Sequence, residues 1–313
     1  MASARTILVS GAAGFLGSHV AEAWAGAWPG DRLVVLDALT YAGSRENLGK
    51  TPHIFVEGDI ASPADVARAF AQAGRVDIVL HLAAESHVDR SISAPSVFVR
   101  TNVLGTQTLL DAALHHGISR FVHISTDEVY GSIEEDEILP DETAAFRPSS
   151  PYAASKVGAE ALVAAANRTW GLDTVIARPA NCFGLRQFPE KLIPVLIKAA
   201  LAGKSLPLYG DGLYRRDWLA APEFARAILL LAERGGAGQA YNIPGSGERT
   251  NRSVAEAICQ ATNTTFSNIV RVADRPGHDR RYAMNGTKLK ALGFEAKKTL
   301  EDLLPSMLSA ARG

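Results

Sequence analysis

The chain lacks most features that mark secreted, metal-binding or nucleic-acid-binding proteins. Its 313 residues include only two cysteines, Cys182 and Cys259, and carry a formal net charge of −1. Two cysteines form neither the disulfide framework of a small secreted domain nor a cysteine-rich metal site, so we expect free thiols, a reducing compartment and no bound metal. A net charge near zero gives no field to attract nucleic acid, so no nucleic-acid partner is expected.

Long hydrophobic runs are also absent. The longest apolar stretch with a helical pattern, "FARAILLLA", is too short to cross a bilayer. The segment "MASARTILVSG" has no apolar region followed by a cleavage site of small residues. We therefore expect a cytoplasmic protein with no membrane partner. With 313 residues, 47% of them hydrophobic, the chain exceeds the usual size of a single core.

The first half of the chain alternates short apolar strands with helical patterns. Helices are predicted for residues 17–27, 63–73, 97–116 and from about residue 152, and a later one for "PEFARAILLLAE". The strands between them are "TILVSG", "RLVVLDA", "HIFVEGD", "VDIVLHLAA", "RFVHIST" and "DTVIARPA". Continuous apolar strands separated by helices are typical of parallel strands buried on both faces. The fold class predicted is α/β, with a Rossmann-like doubly wound parallel sheet.

Beyond residue 181 the sequence becomes rich in proline, glycine and charge, as in "GKSLPLYGDGLYRRDW". Such segments suit a smaller C-terminal substrate-binding lobe, packed where ligands bind at the carboxyl ends of the strands. We assign residues 1–181 and about 217–243 to the cofactor-binding domain. Residues of about 182–216 and 244–313 are assigned to the lobe.

Three glycines follow the first strand in "VSGAAGFLGSHV". Gly11, Gly14 and Gly17 lie where glycine lets the backbone approach a pyrophosphate, whose charge then meets a helix N-terminus. A plain strand-to-helix turn is the alternative. Asp37 ends the second strand, twenty residues after Gly17, where a carboxylate accepts the ribose hydroxyls of NAD and repels the 2′-phosphate of NADP. The cofactor predicted is NAD.

Two other strand ends bear on the cofactor. Asp59, which ends "VEGD", faces the adenine or, alternatively, is a loop residue that caps the next helix. "HLAAESHV" offers Ala83 and Ala84 as small residues against which a cofactor can lie. We interpret His81 and His87, in the same segment, as structural rather than catalytic.

Tyr152 and Lys156 lie four residues apart in "SSPYAASKVGAEALV" and therefore share one face of a helix. An ammonium near a phenol favours the phenolate, which lowers the pKa of a tyrosine towards a usable value. A phenolate beside a nicotinamide can take the proton of a sugar hydroxyl while hydride leaves the carbon. The alternative is an amphipathic helix that happens to contain both residues.

The stretch "HISTDEVYGS" places Thr126, Asp127 and Glu128 directly after a buried strand. Because desolvating a carboxylate costs several kcal/mol unless it is compensated, two acids at this position need an explanation. One explanation is a solvated acidic turn. The other is an active site at the carboxyl end of the sheet, with a hydroxyl group 26 residues before Tyr152.

Together these motifs resemble the extended short-chain dehydrogenase/reductase family, over nearly the whole chain. They are Gly11-x-x-Gly14-x-x-Gly17, Asp37, Thr126 and Tyr152-x-x-x-Lys156. The resemblance implies NAD in the first domain and a nucleotide-diphosphate sugar in the second. It also implies a homodimer through helices at about residues 101–114 and 154–166, although those alanine- and leucine-rich helices would equally suit packing on the sheet.

Within that family, "STDEVYG" resembles the nucleotide-sugar 4,6-dehydratases, which are hydro-lyases. The resemblance implies that C4 is oxidised by NAD, with Thr126 binding the C4 oxygen and Tyr152. Asp127 would then protonate the C6 hydroxyl and Glu128 would remove the C5 proton. Hydride would return to C6, so NAD would stay tightly bound and be regenerated in each cycle. The product would be a 4-keto-6-deoxy sugar.

Further segments resemble the members of this branch that act on dTDP-glucose: "LTYAGSRENL", "AAESHVDRSI", "RQFPEKLIP", "RRDWL" and "DRPGHDRRY". The catalytic residues implied are Thr126, Asp127, Glu128, Tyr152 and Lys156. The cofactor-binding residues implied are Gly11, Gly14, Phe15, Leu16, Gly17, Asp37, Leu39, Thr40, Gly43, Asp59, Ile60, Leu82, Ala83, Ala84, Tyr152 and Lys156. The substrate-binding residues implied are Ser86, Asn181, Glu190, Lys191, Leu192, Tyr209, Arg216, Asn251, Arg275 and His278.

The chain departs from the usual pattern of this branch at residues 182–186 and 220–222. We expect both departures to border the substrate pocket and to affect the choice of sugar or base. Three alternatives to a dTDP-glucose dehydratase therefore stay open: a 4-epimerase, a 4,6-dehydratase of another nucleotide sugar, and a non-catalytic NAD-binding regulatory or scaffold protein.

Overall fold

The structure, a computed structural model, describes residues 4–312 and contains twelve strands and eleven α-helices in that range. Residues 1–3, at the start of "MASARTILVSG", lie outside the described range, and so does residue 313, the last residue of the predicted lobe. The strands are β1 (Thr6–Ser10), β2 (Arg32–Asp37), β3 (Ile54–Glu57), β4 (Ile78–His81), β5 (Arg120–Ile124), β6 (Thr174–Pro179), β7 (Asn181–Phe183), β8 (Leu206–Tyr209), β9 (Arg215–Ala220), β10 (Gln239–Ile243), β11 (Glu248–Thr250) and β12 (Ile269–Val272). The helices are α1 (Phe15–Ala27), α2 (Pro63–Ala73), α3 (Val88–Ser93), α4 (Pro95–Phe98), α5 (Gly105–His116), α6 (Pro151–Trp170), α7 (Leu192–Leu201), α8 (Ala221–Arg234), α9 (Asn251–Thr262), α10 (Thr287–Ala291) and α11 (Leu300–Arg312).

Seven parallel strands form the central sheet, in the order β10-β6-β5-β4-β1-β2-β3. The chain winds outward from β1 in one direction and, after crossing to β4, in the other direction. This confirms the predicted doubly wound parallel sheet. The carboxyl ends of β1 and β4 flank the point at which the winding reverses, and in such sheets this crevice is where ligands bind.

Each face of the sheet is buried beneath helices. Helices α1 and α8 cover one face, where Trp24 and Phe224 belong to the core. Helices α2, α5 and α6 cover the other face, where Phe70, Leu109 and Val163 pack on the strands. Burying a side chain of this size stabilises the fold by about 1.5–3 kcal/mol, which explains why the strands read as continuous apolar runs.

The helix predicted over residues 97–116 is interrupted. It begins as α4, widens into a π-helical segment over Val99–Leu104 and continues as α5. The wider turns contain Asn102, whose side chain both donates to and accepts from the backbone of Glu85 in the loop after β4. A π-helical segment of this kind is often found at a functional site.

The second half adds a smaller layer of short elements. Strands β11, β9 and β7 form one small sheet, β12 pairs with β8, and α7, α9 and α11 enclose a third core around Leu196, Val254 and Leu304. Strand β10 and helix α8 pack with the central sheet. The residue ranges given for two domains stay a prediction, and β9 runs across the predicted boundary near residue 217. Among residues 4–312, no helix combines the length and the apolar character needed to cross a membrane.

Candidate active site

The glycine loop between β1 and α1 is packed too closely for any larger side chain. Gly11 has φ +74°, and a Cβ at this residue would lie 2.5 Å from the backbone nitrogen of Ala83. A Cβ at Gly17 would lie 2.1 Å from the carbonyl oxygen of Gly11. Helix α1 is capped at its N-terminus by the backbone of Gly14, with no side-chain cap. The loop therefore presents bare backbone and a helix N-terminus, as a pyrophosphate site requires.

Gly17→Ala should destabilise the protein and reduce the amount of NAD that copurifies with it. The added methyl group collides with backbone rather than with a flexible side chain, so we expect a loss of about 1–3 kcal/mol in the free energy of unfolding. Chemical denaturation and the NAD content of the purified protein measure both effects.

Gly26→Ala is the matched control, because Gly26 lies in the same helix and a Cβ there would meet no neighbouring element within 4 Å. We expect this variant to keep its cofactor and to gain up to ~1 kcal/mol, since alanine favours a helix more than glycine does. Equal stability of the two variants would contradict the close packing described for Gly17.

Asp37 ends β2 beside the glycine loop. Its Oδ2 accepts the N–H of Ala13 and its Oδ1 accepts the N–H of Leu39, both at 2.9 Å. Burial raises the pKa of Asp37, and these two hydrogen bonds oppose the rise. Each carboxylate oxygen keeps a lone pair for a further donor, such as a ribose hydroxyl. Leu39, with φ +46°, contributes its backbone here and does not line the cleft.

Asp59 lies further along the same edge of the sheet. Its Oδ1 accepts the N–H of Ala61 at 2.8 Å, and its Oδ2 accepts from the guanidinium of Arg100 at 2.6 Å. The helix cap proposed for Asp59 is instead provided by Ser62, which accepts the N–H of Asp65 at the start of α2. Asp59, which is predicted to face the adenine, lines the cleft and is therefore accessible to a molecule bound there.

The acidic pair after β5 lies in a tight, buried turn. Thr126 caps a 3₁₀ turn over Asp127–Tyr130: its Oγ1 accepts the N–H of Glu128 at 3.3 Å and donates to Oδ1 of Asp127 at 3.2 Å. Asp127 is 3% exposed, and Tyr130 anchors the turn in the core. A solvated acidic turn would expose both carboxyl groups, so the burial of Asp127 excludes that explanation, and the active-site role stays a prediction.

The two acids of the turn differ in environment. Burial and the charge of Glu128 raise the pKa of Asp127 to about 8. Burial also raises the pKa of Glu128, but the nearby cations of Arg275, Lys191 and Arg216 oppose that rise. Glu128 is only half-buried. Near neutral pH, Asp127 therefore holds a proton, and a carboxyl group that can donate lies beside one suited to accept, a division of labour seen in other acid–base pairs.

Because Asp127 must be protonated to act as an acid, kcat/KM should fall as the pH rises through about 8. The same group affects stability. Its folded pKa lies above the ordinary 3.8, so the folded protein binds the extra proton between these values and loses stability as the pH rises through this range. Asp127→Asn should remove that loss, and thermal melts at pH 5 and pH 8 would show it.

Asp111→Asn, which changes an exposed carboxylate on α5, is the control for the melts and should keep the wild-type pH dependence. If Asp127→Asn and wild type lost the same stability between the two pH values, Asp127 would be ionised throughout that range.

Helix α6 contains both Tyr152 and Lys156. Ser150 caps the helix by accepting the N–H of Ala153 at 3.1 Å, and proline occupies the first turn. Further along, the buried Glu160 pairs with Arg178 of β6 at 2.6 Å, which fixes the helix against the sheet. Tyr152 and Lys156 are 8% and 3% exposed.

The electrostatics of this pair correct the expectation drawn from the spacing. The ammonium of Lys156 donates to the carbonyl oxygen of Ile124 at 2.5 Å, and burial lowers its pKa to about 8. The pKa of Tyr152 is raised, not lowered, mainly by burial and then by the charge of Glu128, while the Thr126 hydroxyl opposes the rise. Desolvation of the phenolate therefore dominates the pKa of Tyr152 among the protein's own groups.

The lobe supplies a cluster of cations and aromatic rings opposite the acids. Lys191 donates to the carbonyl oxygen of Ser86 at 2.9 Å, and Arg275 pairs with Asp89 at 3.0 Å. Arg216 is 5% exposed. His278 stacks on Tyr214, with ring centroids 3.9 Å apart, while Tyr209 meets the His278 ring edge-on. Fixed cations over a cavity suit a doubly charged pyrophosphate.

One cleft of about 720 Å³ collects these groups. All the predicted catalytic and substrate-binding residues line it, and Leu39 is the exception among the predicted cofactor residues. Of ten buried side-chain polar atoms that lack a partner within the described chain, seven lie on residues lining this cleft, namely Ser125, Asp127, Asn181, Gln187, Trp218, Asn251 and Arg275. Because buried polar groups are normally satisfied, these atoms, with the glycine cradle, fit a polar cofactor and substrate.

The two histidines interpreted as structural have different surroundings. His81 is buried and bonded through its ring nitrogens to the hydroxyl groups of Ser10 and Thr106, at 2.8 and 2.9 Å. His87 caps α3 and lies 3.7 Å from Glu190, and it lines the cleft. The first is a satisfied core residue, whereas the second borders the predicted substrate site.

The prediction that the sequence departures border the cleft is wrong for most of them. Cys182 lines the cleft, but Leu185, Arg186 and residues 220–222 do not. Arg186, with φ +67°, points to the cofactor side, where its guanidinium donates to Glu22 of α1 at 2.6 Å and to the carbonyl oxygen of Asn47 at 2.9 Å. The alanines at 220 and 221 are fully buried behind the cleft.

Several cleft residues were not in the predicted set. They include Tyr41, whose ring receives the guanidinium of Arg90 at 3.7 Å and meets Phe188 of the lobe edge-on at 5.3 Å. Tyr41 lies in "LTYAGSRENL" and Phe188 lies in "RQFPEKLIP". The sequence resemblance covered both segments as a whole but did not single out either aromatic residue. Ser125 and Trp218 also line the cleft, and their unpartnered atoms become visible only in three dimensions.

A nucleotide cradle, a Tyr-x-x-x-Lys helix and an acid pair at the reversal point of a doubly wound sheet define a nucleotide-dependent enzyme that works by proton and hydride transfer. Comparison with known proteins agrees: the model of the NAD dependent epimerase/dehydratase family matches residues 7–244. The chain belongs to this family. The resemblance to the extended short-chain dehydrogenases/reductases is thereby confirmed.

The chain is 46% identical to a dTDP-glucose 4,6-dehydratase of Streptomyces griseus, over 97% of this chain and 93% of that relative. Its structure is similar to that of DesIV, a dTDP-glucose 4,6-dehydratase of Streptomyces venezuelae solved with NAD and dTDP bound, with a TM-score of 0.92, 44% identity, and coverage of 98% and 97% of the two chains. It is also similar to a Thermus thermophilus UDP-glucose 4-epimerase in complex with NAD, with a TM-score of 0.91 but 30% identity, over 98% and 99% of the two chains.

Proposed function

We propose that the protein is an NAD-dependent hydro-lyase that converts dTDP-glucose into dTDP-4-keto-6-deoxyglucose and water. The observation that carries the proposal is the pair formed by a buried, protonated Asp127 and a cation-flanked Glu128, in the same cleft as Tyr152. A 4-epimerase has to move only the C4 hydrogen and needs no such pair. Removal of water across C5 and C6 needs both an acid and a base.

NAD fits the glycine loop, Asp37 and the small residues Ala83 and Ala84, all of which line one half of the cleft. When bound, it accepts and later returns the hydride, and its oxidised ring adds a positive charge that favours the phenolate of a nearby tyrosine. The ribose would be held by Asp37 and the pyrophosphate by the backbone from Gly11 to Gly17.

The protein's own side chains divide the proton transfers. Tyr152 takes the proton of the C4 hydroxyl, and Thr126 donates a hydrogen bond to the C4 oxygen. The resulting ketone makes the C5 proton acidic. Glu128 removes that proton while Asp127 donates its own to the C6 hydroxyl, so that the C–O bond breaks and water leaves. Glu128 then returns its proton to C5, and the proton that Tyr152 took from the C4 hydroxyl passes to Asp127, so all three groups regain their starting protonation state.

Lys156 assists these proton transfers through its fixed position. Its ammonium is held by the carbonyl oxygen of Ile124, at the end of the strand that leads to Thr126. A fixed positive charge one helical turn from Tyr152 stabilises the phenolate as it forms. Nearly complete burial keeps that charge from being screened by water.

The substrate half of the cleft supports a sugar nucleotide. Arg216, Arg275 and Lys191 supply three cations for the diphosphate, and Tyr209 and His278 supply aromatic surface for the base. Asn181 and Asn251 have buried amide oxygens free to accept from sugar or base donors. We assign dTDP-glucose as the substrate because the relatives that match nearly the full chain carry that name.

A homodimer formed through the helices at about residues 101–114 and 154–166 is part of the proposal. Leu104, in the first of these ranges, and Val99, just before it, support the proposal, because they are 51% and 54% exposed. An apolar strip of this kind suits a second copy of the chain. Light scattering of the purified protein would measure its mass. The two domain ranges given above and a cytoplasmic location remain parts of the same proposal.

Incubation of purified protein with dTDP-glucose and no added cofactor tests the function. We expect a 4-keto-6-deoxy product, detected by its absorbance in alkali. UDP-glucose and GDP-mannose in parallel reactions test the base and the sugar. Turnover of another nucleotide sugar alone would keep the chemistry and discard the substrate, whereas no turnover despite bound NAD would favour a regulatory or scaffold protein.

A further inference from the structure

Arg186 joins the predicted lobe to the cofactor side of the protein through three hydrogen bonds outside the cleft. Its guanidinium donates to Oε2 of Glu22 at 2.6 Å, to Nδ1 of His19 at 2.9 Å and to the carbonyl oxygen of Asn47 at 2.9 Å. His19 and Glu22 belong to α1, whereas Asn47 lies in the 3₁₀ turn over Arg45–Leu48, which follows β2. None of the reaction steps above uses Arg186.

The backbone at Arg186 adopts a conformation that costs free energy. A left-handed φ of +67° is unfavourable for a residue with a side chain, and such a residue persists where its surroundings compensate the cost. The side chain is 24% exposed, so its charge-assisted hydrogen bonds are partly shielded from water. A cavity of about 350 Å³ separates residues 184–187 from parts of α7 and α11. Because packing against the lobe is loose there, the contacts of Arg186 hold this loop in place.

His19 accepts the hydrogen bond of Arg186 as a neutral ring. Since Nδ1 accepts, the ring proton is on Nε2, which donates to the carbonyl oxygen of Leu185 at 3.0 Å. Burial and the charge of Arg186 lower the pKa of His19, although the bond to Leu185 opposes this, and the ring stays neutral. The ring also meets Phe15 edge-on, with centroids 5.8 Å apart, and Phe15 lines the cleft at the start of α1.

The other contacts of the loop lead to the groups assigned to the ribose. The side-chain amide of Asn47 donates to the carbonyl oxygen of Ala13 at 2.8 Å, and the N–H of Ala13 donates to Asp37 at 2.9 Å. Two residues after Arg186, Phe188 enters the cleft and meets Tyr41 edge-on at 5.3 Å. The loop is therefore connected both to the helix assigned to the pyrophosphate and to the segment that follows Asp37.

We propose that Arg186 is a positioning residue for the cofactor, which ties the loop before α7 to α1 and to the turn at Asn47 and thereby slows the release of NAD. The inference rests on the proposed function, in which NAD occupies this half of the cleft. A cofactor that is reduced and reoxidised within each cycle has no need to leave, so slow release favours that reaction. Loss of the guanidinium would free the loop from α1 and from the segment that follows Asp37.

The rate at which bound NAD exchanges tests this role. Holoenzyme loaded with isotopically labelled NAD is mixed with an excess of unlabelled NAD, and the label that stays on the protein is followed over time. Arg186→Met keeps the length of the side chain and places the same demand on the backbone. We expect it to release the label about ten- to hundredfold faster, since hydrogen bonds of charged groups contribute energies of that order. Arg186→Lys keeps the charge without the planar fork and should release the label at an intermediate rate.

Arg249→Met is the matched control. Arg249 is 28% exposed and pairs with Glu301, which is 56% exposed, and the values for Arg186 and Glu22 are 24% and 62%. The pair joins β11 to α11 within the predicted lobe, and neither member lines the cleft. This control should exchange NAD at the wild-type rate. Thermal melts should show similar small losses of stability for Arg186→Met and Arg249→Met, because both remove a half-exposed ion pair.

Faster release from the Arg186 variants, with the control unchanged, supports the inference. Release at the wild-type rate from Arg186→Met or from Arg186→Lys overturns it, and Arg186→Lys decides alone if the methionine variant does not fold. Equal acceleration in Arg249→Met also overturns it, because the lobe would then be loosened in general. The exchange uses no nucleotide sugar, so absence of turnover with dTDP-glucose would refute the dehydratase and leave this measurement unaffected.

Discussion

Glu128→Gln should slow the release of water from dTDP-glucose by about 10²–10⁴-fold while hydride still leaves C4. Glutamine keeps the size of the side chain and its backbone hydrogen bond to Thr126. It cannot take the C5 proton, so the oxidised sugar should accumulate in the cleft. The measurement is a single-turnover experiment that follows the absorbance of the reduced nicotinamide and, in quenched samples, the 4-keto-6-deoxy product.

Glu134→Gln is the control for this variant, because Glu134 is an exposed acid six residues further along the same segment. It should turn over at the wild-type rate. If Glu128→Gln formed product as fast as wild type, another group would be the base at C5. If it formed no reduced nicotinamide, Glu128 would be needed already for oxidation at C4.

Tyr152→Phe should block the sequence one step earlier. Without the phenol no group takes the proton of the C4 hydroxyl, so neither reduced nicotinamide nor product should form, and both rates should fall by about 10²–10⁴-fold. The loss of a buried hydroxyl should leave the fold intact, and circular dichroism and NAD content verify that. The same single-turnover experiment therefore distinguishes this variant from Glu128→Gln.

Tyr241→Phe serves as the control, since it removes a buried phenol hydroxyl on β10, at the edge of the central sheet, and Tyr241 does not line the cleft. This control variant should still form both the reduced nicotinamide and the product. Rapid reduction of the nicotinamide in Tyr152→Phe would show that a different group, such as Glu128 itself, starts the oxidation.

Local patterns in the sequence predicted the central sheet well, for a physical reason. A parallel strand buried on both faces must be apolar throughout, and six such strands were read directly from the chain. Strand β10 was not identified individually, because "QAYNI" is short and its place beside β6 depends on a contact between residues more than sixty positions apart. The π-helical widening at Val99–Leu104 has no periodic signature either.

The candidate site was predictable where its chemistry is carried by contiguous motifs. The glycine loop, the acid pair and the Tyr-x-x-x-Lys helix each occupy one short segment. What depends on burial was not predictable: the raised pKa of Tyr152 comes from desolvation, whereas the spacing to Lys156 had indicated the opposite.

The departures from the usual pattern illustrate the same limit. Arg186 directly precedes Gln187 and Phe188, which line the cleft, yet a left-handed backbone conformation turns its side chain towards α1. Of the departing residues, Cys182 is the one that reaches the cleft, and burial with the charge of Asp127 raises the pKa of its thiol, which therefore stays neutral. Most of the changed positions thus lie outside the predicted substrate site.

The fate of the hydrogen at C4 tests the proposed dehydration most directly. Purified protein is incubated with dTDP-glucose deuterated at C4, in ordinary water, and the product is examined by NMR. Elimination followed by return of the hydride predicts deuterium in the C6 methyl group and ordinary hydrogen at C5. Deuterium that returns to C4, with the C6 hydroxyl intact, would identify an epimerase and contradict the roles assigned to Asp127 and Glu128.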